Sequence, residues 1–133
     1  MAMNIRVLTP ERIICSTKAD EIILPSLTGQ VGVLENHATL ITALDTGLLR
    51  IKLDEKWTPI ILYGGLAEID QNRVTVLVND VEELVSLELN EVTKQLEQAT
   101  LAVEEAENSK ARLDASVELK KATARLEAVN YLS

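Results

Sequence analysis

The chain has 133 residues and a formal charge of −8, and 47% of it is apolar although Phe is absent and Trp, Tyr and His number one, two and one. This length gives one compact domain, or a smaller domain with an appendage, around a core that must be aliphatic. The negative charge repels phosphate backbones and stacking rings are scarce, which excludes nucleic acid, while the sole cysteine, Cys15, excludes an internal disulfide and a Cys-based zinc cluster.

The N-terminus, "MAMNIRVLTP", enters a strand-like pattern at once, without an apolar signal core or an Arg/Ser-rich leader. No apolar run reaches the roughly 18 residues a membrane span needs. A soluble product working in the compartment where it is made is therefore expected. "IRVLT", "RIICS" and "EIILPS" are the first strand candidates, with Cys15 expected as a small buried hydrophobe. "GQVGVLENHA" follows, with two glycines and the single histidine, His37, and reads as a loop. "GLLRIKL" alternates, placing Leu49, Ile51 and Leu53 on one face and Arg50 and Lys52 on the other. The polar breaks "DEK" and "DQN" join it to "WTPIILY" and join "LAEI" to "RVTVLVN", as hairpin loops without the usual Asn-Gly signal. Gly64 and Gly65 read as a bulge or a close backbone approach rather than a ligand cradle, since no strand-to-helix glycine motif surrounds them.

Beyond "NDVEELVSLEL" the period changes. Leu89, Val92, Leu96, Ala99, Val103 and Ala106 form one helical stripe, with Asn90 as the expected N-cap and Glu91 at the positive end of the dipole. "ENSK" interrupts, and Ala115, Leu119, Ala122, Leu126 and Val129 continue the stripe on a second helix from Ser109 to Asn130. The short connection implies an antiparallel hairpin. The first helix is biased acidic and the second basic through Lys110, Arg112, Lys120, Lys121 and Arg125, so mutual pairing is expected, the alternative being release of the second helix to an acidic partner. A seam so rich in alanine recovers little burial against roughly 1–2 kcal/mol of backbone entropy per residue, so the hairpin needs a docking surface. The fold class is α+β: an all-β sandwich or flattened barrel over residues 1–86, then a two-helix hairpin over residues 87–133.

Catalysis finds no anchor. One His and one Cys offer no metal cluster, and Glu35 and Asp45 lie near His37 in sequence as expected by chance at this composition. A ligand-binding sandwich with a helical lid and an adaptor with a coiled-coil-like tail are two readings that composition leaves open.

"RVLTPERII", "GQVGVLENHATLITALDTGLLRI", "YGGLAEI", "RVTVLVND" and "ELKKATARLEAVNYLS" together resemble the epsilon subunits of F-type ATP synthases, in their chloroplast and cyanobacterial form, along essentially the whole chain. The resemblance implies a non-catalytic rotor subunit of the central stalk, without cofactor or metal, peripheral at the thylakoid membrane on its stromal or cyanobacterial cytoplasmic face. Its sandwich binds the gamma subunit and sits on the c ring. By the same analogy Gln30, Val31, Glu35, Asn36 and His37 contact the c ring, and Lys110, Arg112, Lys120, Lys121 and Arg125 carry a restraint of ATP hydrolysis to the catalytic alpha and beta subunits. Some bacterial members bind ATP through a Leu/Ile-Asp-x-x-Arg-Ala motif; here "LNEVTK" places Asn90, Thr93 and Lys94 at its Asp, Arg and Ala. Without those charge-assisted bonds, direct ATP sensing is not expected.

Overall fold

The computed structural model describes residues 3–82 and 88–132, so the expected domain boundary after residue 86 lies outside the described residues. Among the described residues seven strands run β1 (Met3–Leu8), β2 (Ile13–Ala19), β3 (Glu21–Ser26), β4 (Gly29–Leu34), β5 (Leu40–Leu53), β6 (Lys56–Asp70) and β7 (Arg73–Val78), with a two-residue β8 (Val81–Glu82). The hydrogen-bonded path is β2-β1-β7-β6-β5-β3-β4, with β8 paired to β6. All pairings are antiparallel except β1 with β7.

Two long strands fold this path into a sandwich. The second half of β6 pairs with β7 and the first half of β5, while its first half pairs with β8 and the second half of β5, which also pairs with β3. Each long strand therefore belongs to both layers. The inward faces enclose one aliphatic core including Met3, Ile5, Ile22, Leu24, Leu49, Leu62, Ile69 and Val76. Cys15 is half-buried against it.

The chain crosses between layers at Gly64 (φ 75°) and Gly65 (φ 151°). A Cβ on Gly65 would lie 2.0 Å from the Leu77 carbonyl oxygen, so only glycine lets β6 and β7 approach here. The close-approach reading of this pair holds. Both polar breaks are two-residue turns with positive φ at Asp54 and Glu55 and at Gln71 and Asn72, the backbone of a type I′ hairpin built without glycine.

Helices α1 (Leu89–Glu104) and α2 (Ser109–Leu132) follow. Helix α1 starts two residues earlier than expected: Glu88 is its N-cap and Asn90 lies inside the first turn. Asn108 caps α2, its Oδ1 accepting from the Ala111 amide at 2.8 Å. The seam uses Val92, Ala99, Ala122 and Val129, all buried, but Leu89 stays 53% exposed. A second, unexpected face of α2, Ala124 and Ala128, packs on Leu48 and Ile61, the outward side of the β5/β6 layer, with Tyr63 alongside. Ala122 and Ala124 point about 200° apart at 100° per residue, so α2 is covered on two opposite sides. The hairpin has found its docking surface on the sandwich, and the alternation of "GLLRIKL" had hidden it, because Leu48 lies on the supposedly polar face.

Candidate functional site

Two groups of residues carry the candidate contacts. The first lies along β4. Gln30 and Val31 pair with Pro25 and Leu24 at its start, whereas Glu35, Asn36 and His37 follow its other end, roughly 15–17 Å away at strand rise. The expected single loop from Gln30 to His37 is thus a strand followed by a short connection. Gly29, with φ 124°, takes the turn out of β3, while Gly32 sits within the strand facing open space.

The connection is tied to the turn between β6 and β7. Asn36 adopts φ 66°, and its amide donates to Asn72 Oδ1 at 2.6 Å. The His37 amide donates to the Leu34 carbonyl at 3.2 Å. His37 Nδ1 lies 2.7 Å from the Ala38 carbonyl oxygen, which can only accept, so Nδ1 is the donor in this contact. Nothing here pairs the imidazole with a nucleophile; its ring is held as a positioned surface group.

The second group forms the seam between α2 and the sandwich. Arg125 straddles Glu82, with Nε to Oε2 and a terminal guanidinium nitrogen to Oε1 both at 2.6 Å. The Tyr63 hydroxyl donates to the same Glu82 Oε1 at 2.6 Å. Lys121 Nζ stands 4.4 Å from the Tyr63 ring centroid, a cation–π distance. Farther along, Lys120 pairs with Asp45 at 3.0 Å and Arg50 with Glu127 at 3.1 Å. The bonds from Arg125 hold the Glu82 carboxyl below its ordinary range against the opposing effect of burial. Burial, and then the bond to Glu82, pushes Tyr63 up to about 12. Arg125 is held protonated by Glu82.

These pairs correct the expected charge match between the helices: Lys120 and Arg125 reach the sandwich rather than the glutamates of α1. Lys121 turns to Tyr63 and to Glu118 of its own helix, at 3.5 Å from the latter. Of the five basic residues singled out on α2, three are engaged at the seam, while Lys110 and Arg112 lie exposed near the hairpin tip. Sequence reasoning missed Glu82, Tyr63, Asp45 and Arg50. The signal available for their counterpart was the second stripe Lys121, Ala124, Arg125 and Ala128, spaced by three and four residues and small enough at its centre to let a helix approach a sheet.

Residues 2–84 match the family model for the ATP synthase delta/epsilon chain, beta-sandwich domain. Over all 133 residues, and the full length of the relative, the chain is 81% identical to the chloroplastic ATP synthase epsilon chain of Thalassiosira pseudonana. The chain belongs to the ATP synthase epsilon chain family. The chloroplastic ATP synthase epsilon chain of Gracilaria tenuistipitata var. liui is 44% identical across 100% of this chain and 99% of its own length. Among solved structures, a chain of the Euglena gracilis mitochondrial ATP synthase OSCP/F1/c-ring complex superposes with a TM-score of 0.81 at 19% identity, covering 97% of this chain and 81% of its own. A chain of the Tetrahymena thermophila mitochondrial ATP synthase central stalk and c ring reaches a TM-score of 0.63 at 14% identity, covering 96% of both chains. At those identities the superpositions show likeness of fold alone.

Proposed function

We propose that this chain is a non-catalytic central-stalk subunit of a chloroplast ATP synthase, coupling proton flow through the c ring to ATP synthesis. The observation that carries the reading is 81% identity with a chloroplastic epsilon chain over the full length of both, through sandwich and helices alike. In this reading the sandwich binds the gamma subunit, and the complex holds the chain peripherally at the stromal face of the thylakoid membrane. Among the described residues no helix is long and apolar enough to cross a membrane, which agrees with attachment through partners.

The residues around β4 are proposed as the c-ring contact. What supports this is a polar, exposed Gln30 and Asn36 at the two ends of an edge strand, with Glu35 and His37 beside a backbone fixed by Asn72. Lys110, Arg112, Lys120, Lys121 and Arg125 are proposed to carry restraint of hydrolysis to the catalytic alpha and beta subunits. Because Lys120, Lys121 and Arg125 are engaged at the seam, restraint in this reading begins with undocking of α2. A tagged chain incubated with solubilised thylakoids should co-purify with gamma and the catalytic subunits. Recovery of the chain alone, under conditions that keep the complex intact, rejects the reading.

A further inference from the structure

The face of the sandwich opposite the helices is graded from apolar to cationic. Across five strands, Ile13, Leu8, Leu77, Leu66 and Ala43 stand opposite one another in register on its outer side. Ile13, Leu77 and Leu66 are 57%, 51% and 49% exposed. Two residues along β1 and β7, roughly 6–7 Å away, and three along β2, where a bulge shifts the register, polar rows begin. There Arg6 stands between Ser16 and Thr75, and in the following row Asn4 stands between Lys18 and Arg73. These side chains line one shallow depression.

Three cations meeting on one patch are unexpected in a chain of charge −8. Among the described residues none of the three forms an ion pair, whereas other basic residues of the sandwich, Arg50 and Lys52, do. The nearest carboxylates in register lie on β6 along one border of the patch: Asp70 stands directly opposite Arg73, beyond ion-pair distance, and Glu68 opposite Thr75. Like charges held on adjacent strands, Arg6 beside Lys18 and Arg73, repel one another, a cost that Asp70 offsets at one edge only and that an anionic partner would offset further. The patch is flat and open, without the enclosing walls that hold a small anion, and it abuts a row of exposed leucines. A protein segment bearing both carboxylates and apolar side chains matches both halves of the face.

We propose that Arg6, Lys18 and Arg73 form an acid-reading surface that engages a carboxylate-bearing segment of a neighbouring subunit whose apolar side chains cover Leu8, Leu66 and Leu77. This deepens the proposed stalk function and rests on it. The test is rebinding of the chain to an ATP synthase complex stripped of this subunit, at low and at physiological salt. Native affinity should fall as salt screens the contact. Combined Arg6→Glu, Lys18→Glu and Arg73→Glu should weaken binding about 10- to 100-fold at low salt and remove the salt dependence. Leu77→Asp should weaken binding at every salt concentration. Unchanged melting temperatures establish that both variants are folded, and milder Arg6→Gln with Arg73→Gln serves if the reversal unfolds the sheet. If Leu77→Asp releases the chain and neither set of charge variants does, the apolar row docks but the acid reading is overturned. If the native chain does not rebind at all, the stalk assignment and this inference fall together. Vesicles rich in phosphatidylglycerol give the remaining arm: charge-dependent binding to them, with rebinding to the complex unaffected by the charge variants, assigns the patch to a membrane surface and overturns the inference.

Discussion

Glu82 accepts from two side chains and so couples three residues to one proton. A carboxyl whose value is lowered on docking stabilises the docked state fully above its free value, and loses that contribution as pH falls through the lowered one. Starting from an ordinary 4.5, the seam should be insensitive to pH through the neutral range and weaken only below that value. Hydrogen exchange along α2 measured against pH should show this acid limb, and Glu82→Gln should abolish it and lower docking stability by about 1–3 kcal/mol. An unchanged limb in the variant assigns the effect to another group. Gly65 supplies the other residue-scale constraint. Its Cβ would meet the Leu77 carbonyl and Val78 Cα, so Gly65→Ala must separate β6 from β7. A loss of about 3 kcal/mol or more in denaturant unfolding is expected, against little change for Gly32→Ala, which faces open space.

At the scale of elements, the strands and both helices were legible because their periods are local properties of the chain. Alternation marked the second half of β5, apolar β-rich runs between polar breaks marked β1 and β7, and the three-and-four stripe marked α1 and α2 with their seam. The docking of α2 on β5 and β6 was not legible, since it depends on which face of the strand layer the helix meets. Leu48 and Ile61 adjoin Leu49 and Leu62, and a run buried on both faces reads as apolar without revealing what covers the second face. The loop reading of residues 29–38 failed for a related reason: Gly29 ends a turn, but Val31 and Val33 supply the short alternation of an edge strand. Ala128, fully buried against the sheet, tests the docking directly. Ala128→Leu should cost about 1–3 kcal/mol through overpacking and expose the hairpin to proteolysis while the sandwich stays folded. A uniformly destabilised chain, without selective cleavage after residue 82, shows instead that helices and sandwich unfold as one unit. The "LNEVTK" start of α1 belongs to this scale too. Thr93 Oγ1 donates back to the Leu89 carbonyl at 2.7 Å, where the bacterial motif has an arginine. Calorimetry should detect no ATP binding at submillimolar concentration; saturable heat there contradicts the motif reading.

At the scale of the whole molecule, the cations of α2 have two uses that cannot be satisfied together. Lys120 and Arg125 hold the helix to Asp45 and Glu82, and the same side chains are proposed to meet the catalytic subunits. A ligand or partner shifts such an equilibrium only by its differential affinity for the two states. Substituting the cations therefore acts on both sides at once, weakening the docked state and the restrained one, whereas substituting their sandwich partners acts on the docked state alone. Asp45→Asn combined with Glu82→Gln should favour release of α2 and lower the ATP hydrolysis rate of the assembled enzyme. Lys120→Gln, Lys121→Gln and Arg125→Gln together should raise it, because the released helix then lacks its charges for the catalytic head. Truncation before Ser109 should raise it further, with sandwich binding retained. The opposite signs separate the two roles of one set of residues. Several pairs of about 0–1 kcal/mol each suffice to move an equilibrium whose gap is a few kcal/mol, so several-fold changes in rate are expected at low salt and smaller ones at high salt. If the Asp45 and Glu82 variant hydrolyses ATP at the native rate while its hairpin is measurably undocked, release of α2 is not what sets the restraint.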